Sequence, residues 1–211
     1  MGRLTLVTIL IIVANVLISL KGFKDYGFFE RYKFNVGSIR RGEQFRMFSS
    51  GFLHIDTTHL LFNMITLFFF ADRVIYNVGE LNFIIIYIGS LAIGSLMSLY
   101  FHKDEYQYSA VGASGAVMGV IYSAILFDPW MQINFFIPGF VFGIGYLLYS
   151  IYGMKKRIGN IGHDAHFGGA VGGYLLTLII DPSLFQNSLL MVGILAIPII
   201  VLFFMHKTGK I

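Results

Sequence analysis

Long apolar blocks separated by short polar punctuation set the pattern of this chain. A bilayer-spanning helix needs about 20 mostly apolar residues, within a range of roughly 17–25. Seven stretches approach or reach that length: Leu4 to Leu20, His59 to Tyr76, Leu81 to Phe101, Val111 to Phe127, Ile133 to Tyr152, Ala165 to Ile180, and Leu189 to Met205. The second carries Asp72 and Arg73 near its end and the sixth is short, so those boundaries are the soft ones. The pattern predicts an all-α membrane protein with seven spans, six and eight being the neighbouring counts. Composition agrees. Hydrophobic residues make up 56% of the chain and charged residues 12%, with a mean hydropathy of +0.75. A soluble domain carries roughly 25% charged residues.

In 211 residues, seven spans leave room for one membrane domain, 1–211, and no soluble appendage, low-complexity tract or internal repeat is visible. The first stretch follows Arg3 like a signal peptide, but no small-residue cleavage pattern follows it, so a retained helix is expected. The chain has no cysteine, which excludes disulfides, zinc-thiolate sites and thiol nucleophiles. A net charge of +4 suits contact with anionic lipid headgroups. Nucleic-acid binding is not expected, because the basic residues sit in loops between spans.

Only one connection is long. From Lys21 to about Thr58 the chain mixes aromatic and charged residues, as in Phe28-Phe29-Glu30-Arg31-Tyr32-Lys33. Loops of that length are usually functional or disordered. The density of Phe and Tyr argues for packing at the membrane interface, where such rings are enriched.

Topology ties the polar residues together. Successive spans cross in opposite directions, so the even-numbered ones begin on the same side. His59 and Asn63 begin the second, Ser114 the fourth and His166 the sixth. All of them fall near one leaflet at similar depth. His59 and Asn63 are four apart and share a helix face. Ser114 lies between Gly112 and Gly115, with Gly119 completing a Gly-x-x-x-Gly step, and His166 is followed by Gly168, Gly169, Gly172 and Gly173. Small residues let membrane helices pack backbone to backbone, and a Ser–His hydrogen bond of about 2.6–3.2 Å requires such closeness. Ionisable groups inside a span are costly and point to function. The pattern predicts serine-type chemistry within the membrane.

Each residue alone also has a plain reading. A single Ser in a span is usually a packing residue, and Asn63 could be interhelical glue. Asp164, two residues before His166, falls on another helix face and reads as an interfacial charge. His102 and His206 sit at span ends and read as interfacial, and His163 is open. A metal transporter built on His54, His59, His163, Asp164 and His166 is a competing class. It lacks an H-E-x-x-H helix and leaves the glycines around Ser114 unexplained.

Three blocks together resemble a known family. Gly42-Glu43-Gln44-Phe45-Arg46-Met47-Phe48-Ser49-Ser50-Gly51-Phe52-Leu53-His54, followed by His59-Leu60-Leu61-Phe62-Asn63, is similar to the first-loop and second-helix signature of the rhomboid intramembrane serine proteases. Gly112-Ala113-Ser114-Gly115 is similar to their nucleophile motif, and Ala165-His166-Phe167-Gly168-Gly169 to their histidine motif. The resemblance covers about residues 4–180. It implies a rhomboid-like bundle of six transmembrane helices plus one extra C-terminal helix at about 189–205.

It also implies a Ser114–His166 dyad, with Asn63, His59 and the Ser114 backbone N–H around the oxyanion. His54 would share that polar pocket and hold water, and Gly112 would line it. The long loop, with Glu43 and Arg46, would brace the site, Phe45 standing where the family commonly has Trp. The fifth span would act as a gate, and the loop before His166 as a cap. Met118 stands where many members carry a tyrosine that stacks on the histidine. No cofactor or metal is implied. The implied substrates are single-span membrane proteins. An inactive relative that binds transmembrane clients is the second reading.

The implied orientation puts the site on the extracytoplasmic side of a cell membrane. Inside loops would then hold only Arg3 and Arg73, against thirteen Lys and Arg residues outside. That is the reverse of the positive-inside rule.

Overall fold

The computed structural model describes residues 5–133, 136–159 and 162–211. Helix α1 (Leu6–Lys24) is capped by Thr5 and closed by Lys21 and Lys24 in its last turn. The long connection is ordered into α2 (Tyr26–Tyr32), strand β1 (Phe34–Asn35), α3 (Val36–Arg40), α4 (Arg46–Ser49) and a tight turn at Ser50–Phe52. Then come α5 (Thr57–Phe101), β2 (Ser109–Ala110), α6 (Ser114–Phe127), β3 (Gln132–Ile133), β4 (Ile137–Pro138), α7 (Gly139–Lys156), α8 (His163–Ile180), α9 (Leu184–Asn187) and α10 (Leu189–Lys207).

Helix α5 is two rods. At 45 residues a straight helix would run about 67 Å, twice the roughly 30 Å of a hydrocarbon core. Gly79 breaks it with φ 80° and ψ 167°, a backbone conformation open to glycine. Asn63 and Gly94 consequently line one cavity, although a straight helix would hold them about 46 Å apart. The chain therefore doubles back at Gly79.

Helices α1, α5 and α10 are each long and apolar enough to cross a membrane. Leu6, Leu10 and Leu17 on α1, and Leu190, Phe203 and Phe204 on α10, are exposed. Helices apolar along so much of their exposed length suit lipid, since soluble monomers rarely expose contiguous apolar patches beyond a few hundred Å². This is a multi-pass membrane protein.

The centre of the bundle is built on absent side chains. Helix α8 lies against α6 and the second half of α5. A Cβ on Gly169 would overlap the Gly115 carbonyl, and one on Gly173 the Gly119 carbonyl. A Cβ on Gly94 would fall 2.6 Å from the Ala165 carbonyl oxygen. Backbone meets backbone along both seams, as small residues allow. Around this axis sit Tyr87, Tyr122, Phe83 and Phe167, all fully buried. Ser123 and Thr177 place their hydroxyls 2.7 Å apart across the α6–α8 seam.

The first loop is fastened to the bundle at several points. Strand β1 pairs antiparallel with β2, Phe34 opposite Ala110, just before the Gly112–Gly115 block that opens α6. Arg46, nearly buried, donates from Nε to Glu43 at 2.6 Å and from a terminal nitrogen to the carbonyls of Glu30 and Lys33 at 2.8 and 3.1 Å. Phe45 is half-exposed and meets the edge of Tyr32 at 5.9 Å.

Two expected boundaries shift. The fourth stretch becomes helical only at Ser114, because Ser109–Ala110 is taken into strand pairing and Gly112 has φ +135°. The fifth becomes helical at Gly139 rather than Ile133, because Ile133 pairs with Ile137 in a short hairpin that ends at Pro138. Arg3, Leu4 and part of the expected cap (160–161) lie outside the described residues.

The seam predicts an asymmetric response to one methyl group. Gly169→Ala should force α6 from α8, cost about 1–3 kcal/mol or more as overpacking does, and lower the melting temperature in detergent. Gly193→Ala, where a Cβ meets nothing within 4 Å, should melt as the parent does. Equal melting of the two variants would refute the close seam.

Candidate active site

A cavity of about 980 Å³ opens between α5, α6, α7 and α8, and Ser114, His166, His59, Asn63 and Tyr146 line it. Helix α6 has 14 residues, about 21 Å at 1.5 Å per residue. It is shorter than a hydrocarbon core, so its first residue can lie below the membrane surface. That residue is Ser114. As a helix N-terminus, its backbone N–H has no intrahelical acceptor and sits at the positive end of the helix dipole.

Ser114 Oγ lies 2.6 Å from His166 Nε2. The two groups come from α6 and α8, whose separation the Gly115–Gly169 contact fixes. His166 Nδ1 lies 2.7 Å from the hydroxyl of Tyr146, on α7. One imidazole thus bridges three helices.

On the other side of Ser114, α5 presents His59 and Asn63. Asp56 caps this helix, its Oδ1 accepting from the His59 backbone N–H at 2.7 Å. The His59 ring lies so close to Gly112 that a Cβ there would fall 2.7 Å from His59 Cε1 and 3.0 Å from Nε2. Glycine is needed at 112 both for that approach and for its φ of +135°. The Gly112 N–H donates to the Ser50 carbonyl at 3.0 Å, holding the bend to the first loop. Asn63 Nδ2 gives one hydrogen to the His59 carbonyl at 2.9 Å, and the amide carries a second.

His54 does not line the cavity. It is fully buried behind His59, ring centroids 5.0 Å apart. Its Nε2 accepts from the Ala113 N–H at 3.4 Å. Its Nδ1 lies 2.8 Å from Ser19 Oγ, whose own hydrogen goes to the Phe52 carbonyl at 3.0 Å. These bonds are mutually consistent for one neutral tautomer, with the hydrogen on Nδ1. The expected water-holding role gives way to a brace linking α1, the first loop and the residue before Ser114.

Asp164 differs from expectation, whereas His102 does sit at a span end, half-buried at the C-cap of α5. Asp164 is buried rather than interfacial, with His102 Nε2 3.7 Å from Oδ2. His102 Nδ1 sits 3.1 Å from Glu105, and its ring stacks on Tyr108 at 3.5 Å. Burial alone would lower the His102 pKa, but the bonds to Asp164 and Glu105 outweigh it and hold the pKa above the ordinary value. His206 stays at the surface, bonded to the Tyr100 hydroxyl at 2.7 Å. His163 is buried, with Nε2 3.3 Å from the Ile158 carbonyl. Among the described residues no three His, Asp or Glu side chains gather as metal ligands.

Sequence reasoning missed Tyr146. Met118, which stands where many rhomboid proteases carry a stacking tyrosine, does line the cavity, but the aromatic hydroxyl on His166 comes from another helix. No spacing within the chain could have signalled that contact.

Burial holds the His54 pKa down at about 3 against an ordinary 6.5; nearby His59 adds to this and Asp56 opposes it. The unfolded chain then takes up this proton first. Stability is complete above about pH 6.5 and is lost as pH falls toward about 3. The melting temperature of the parent should drop below pH 6.5, and His54→Gln should flatten that drop. An unchanged slope would show that His54 is not the group responsible.

Comparison with known proteins agrees with this architecture. The family model described as a rhomboid domain matches residues 41–183. The chain is 32% identical over 146 residues to the putative rhomboid protease YdcA of Bacillus subtilis, covering 69% of this chain and 71% of that one. It is 29% identical over 136 residues to the rhomboid protease GluP of the same organism, covering 64% of this chain and 26% of the relative. RHOMBOID-like protein 12, mitochondrial, of Arabidopsis thaliana is 26% identical over 176 residues, 74% of this chain and about half (52%) of that protein. The match runs from the first loop through the α8 histidine block, and the chain belongs to the rhomboid family.

Proposed function

We propose that this protein is an intramembrane serine endopeptidase that cuts transmembrane segments of single-span membrane proteins with a Ser114–His166 dyad. The observation that carries this reading is the 2.6 Å contact between Ser114 Oγ and His166 Nε2, at the floor of a cavity walled by helices. The seven long helical rods are read as six core spans with α10 added at the C-terminus.

In this reading the His166 Nε2 lone pair takes the Ser114 proton as Oγ attacks the scissile carbonyl. The imidazolium so formed then returns a proton to the leaving amine. Negative charge builds on the carbonyl oxygen. The Ser114 backbone N–H, the free hydrogen of Asn63 Nδ2 and the His59 side chain surround the space beside Ser114 and supply donors already in place. Phe70, Met118 and Phe142 give the cavity the apolar lining that a transmembrane segment needs. A helical segment has no free peptide groups at its centre, so cleavage falls where helix-breaking residues expose a strained bond. The second reading, an inactive relative that binds transmembrane clients, does not need a formed Ser–His hydrogen bond.

The proposed orientation places the cavity on the extracytoplasmic side, against the cation count. Several of those cations have partners within the protein: Lys33 with Glu30 at 2.7 Å, Arg46 with Glu43 at 2.6 Å, and Arg157 with Glu105 at 3.0 Å. Lys155 and Lys156 close α7 at its C-terminal turn, where cations suit the helix dipole.

With a model single-span substrate and a fluorophosphonate probe, the parent should cleave and be labelled. Ser114→Ala and His166→Ala should do neither. Asn63→Ala should lower kcat about 10²–10³-fold, the scale of one oxyanion donor. Equal cleavage by Ser114→Ala would refute the nucleophile. Because the chain has no cysteine, Lys156→Cys gives a single thiol that an impermeant reagent should label on intact cells. Protection there would put the cavity on the cytoplasmic side.

A further inference from the structure

A serine base works only in one tautomer. For Nε2 of neutral His166 to accept the Ser114 proton, the ring hydrogen must sit on Nδ1, and Nδ1 then needs an acceptor. In many hydrolytic sites a carboxylate fills this place. Here the nearest candidate by sequence, Asp164, is turned away and faces His102. The group at Nδ1 is the phenol of Tyr146, 2.7 Å away.

Tyr146 is held from its own helix. Phe142, one turn earlier on α7, stacks on it with ring centroids 5.7 Å apart and planes 23° from parallel. The two rings of Tyr146 and His166 are 6.1 Å apart and tilted by 35°, so the link between them is the hydroxyl and not face-to-face stacking. Met118, which also lines the cavity from α6, has a thioether that is only a weak acceptor.

We propose that Tyr146 is the positioning residue of the base. Its hydroxyl oxygen accepts the Nδ1 hydrogen of His166, selects the tautomer with a free Nε2, and keeps accepting that hydrogen while the ring is cationic. The proposal rests on the dyad reading above. It adds a consequence of where Tyr146 sits. Helix α7 packs far more sparsely on α8, α10 and α6 than α5, α6 and α8 pack on one another, so it is the cavity wall best able to move. A displacement of α7 that admits a substrate segment also takes the acceptor off Nδ1. The base is competent only when α7 has returned against α8.

Tyr146→Phe keeps the ring and removes only the hydroxyl. It should lower kcat on a transmembrane substrate about 10–100-fold, below the about 10⁴-fold known for replacing a carboxylate at this position. Fluorophosphonate labelling of Ser114 should slow by the same factor, while KM stays within about twofold and the melting temperature is unchanged. A structural or substrate-wall role would instead raise KM or lower the melting temperature and leave labelling by the small probe at the parent rate. That result, or an unchanged kcat, would overturn the proposal. Failure of the dyad reading shows separately, as a parent that is not labelled or a Ser114→Ala variant that is.

Discussion

The contact on which the rest depends is between backbones: Gly115 and Gly119 of α6 against Gly169 and Gly173 of α8. Helices carrying ordinary side chains pack with axes about 8–10 Å apart, and glycine removes the spacer. Ser114 directly precedes Gly115, and His166 lies about one turn before Gly169. Their side chains are short, so a hydrogen bond between them needs the helices this close. In lipid no hydrophobic force draws helices together, and close van der Waals contact takes its place. The same four glycines therefore supply cohesion and set the geometry of the proposed dyad.

Around that seam the protein arranges supports of differing stiffness. His59, Gly112 and Ser114 are held by the first loop through β1–β2 pairing, the Gly112–Ser50 bond and the buried His54 brace. Arg46 ties that loop to itself through a carboxylate and two carbonyls, a charge-assisted set stronger than neutral bonds. His166 is held from below by the α8 backbone and from the side by Tyr146. The proposed oxyanion donors are thus on the fixed side of the cavity, and the partner of the proposed base is on α7, the wall with the sparsest packing. This division suits a site that must admit a helix and still present preorganised donors.

Much of the fold is legible in the sequence because the bilayer admits few solutions. Backbone groups in lipid must be satisfied internally, so apolar blocks become helices, and alternation of direction then dictates which ends meet. His59, Asn63, Ser114 and His166 could be placed at one leaflet by that reasoning alone, and the structure sets them around one cavity. Glycine at 112, 119, 169 and 173 is likewise meaningful in the sequence, since each marks a place where an added Cβ would collide with a neighbour.

Contacts between residues remote in sequence were decided only by the tertiary structure. Asp164 reads as an interfacial charge until the packing of α5 on α8 brings His102, at the end of α5, to it. His54 reads as part of a wet pocket until Ser19 of α1 closes over it. Tyr146 reads as one more aromatic in a span, and only the packing of α7 on α8 carries its hydroxyl to His166. Periodicity and topology fix depth and side within a membrane because lipid and helix geometry act on every residue alike. Rotation of each helix about its axis, and hence which polar group meets which, is set by side-chain packing across the bundle, and no local stretch of the chain encodes it.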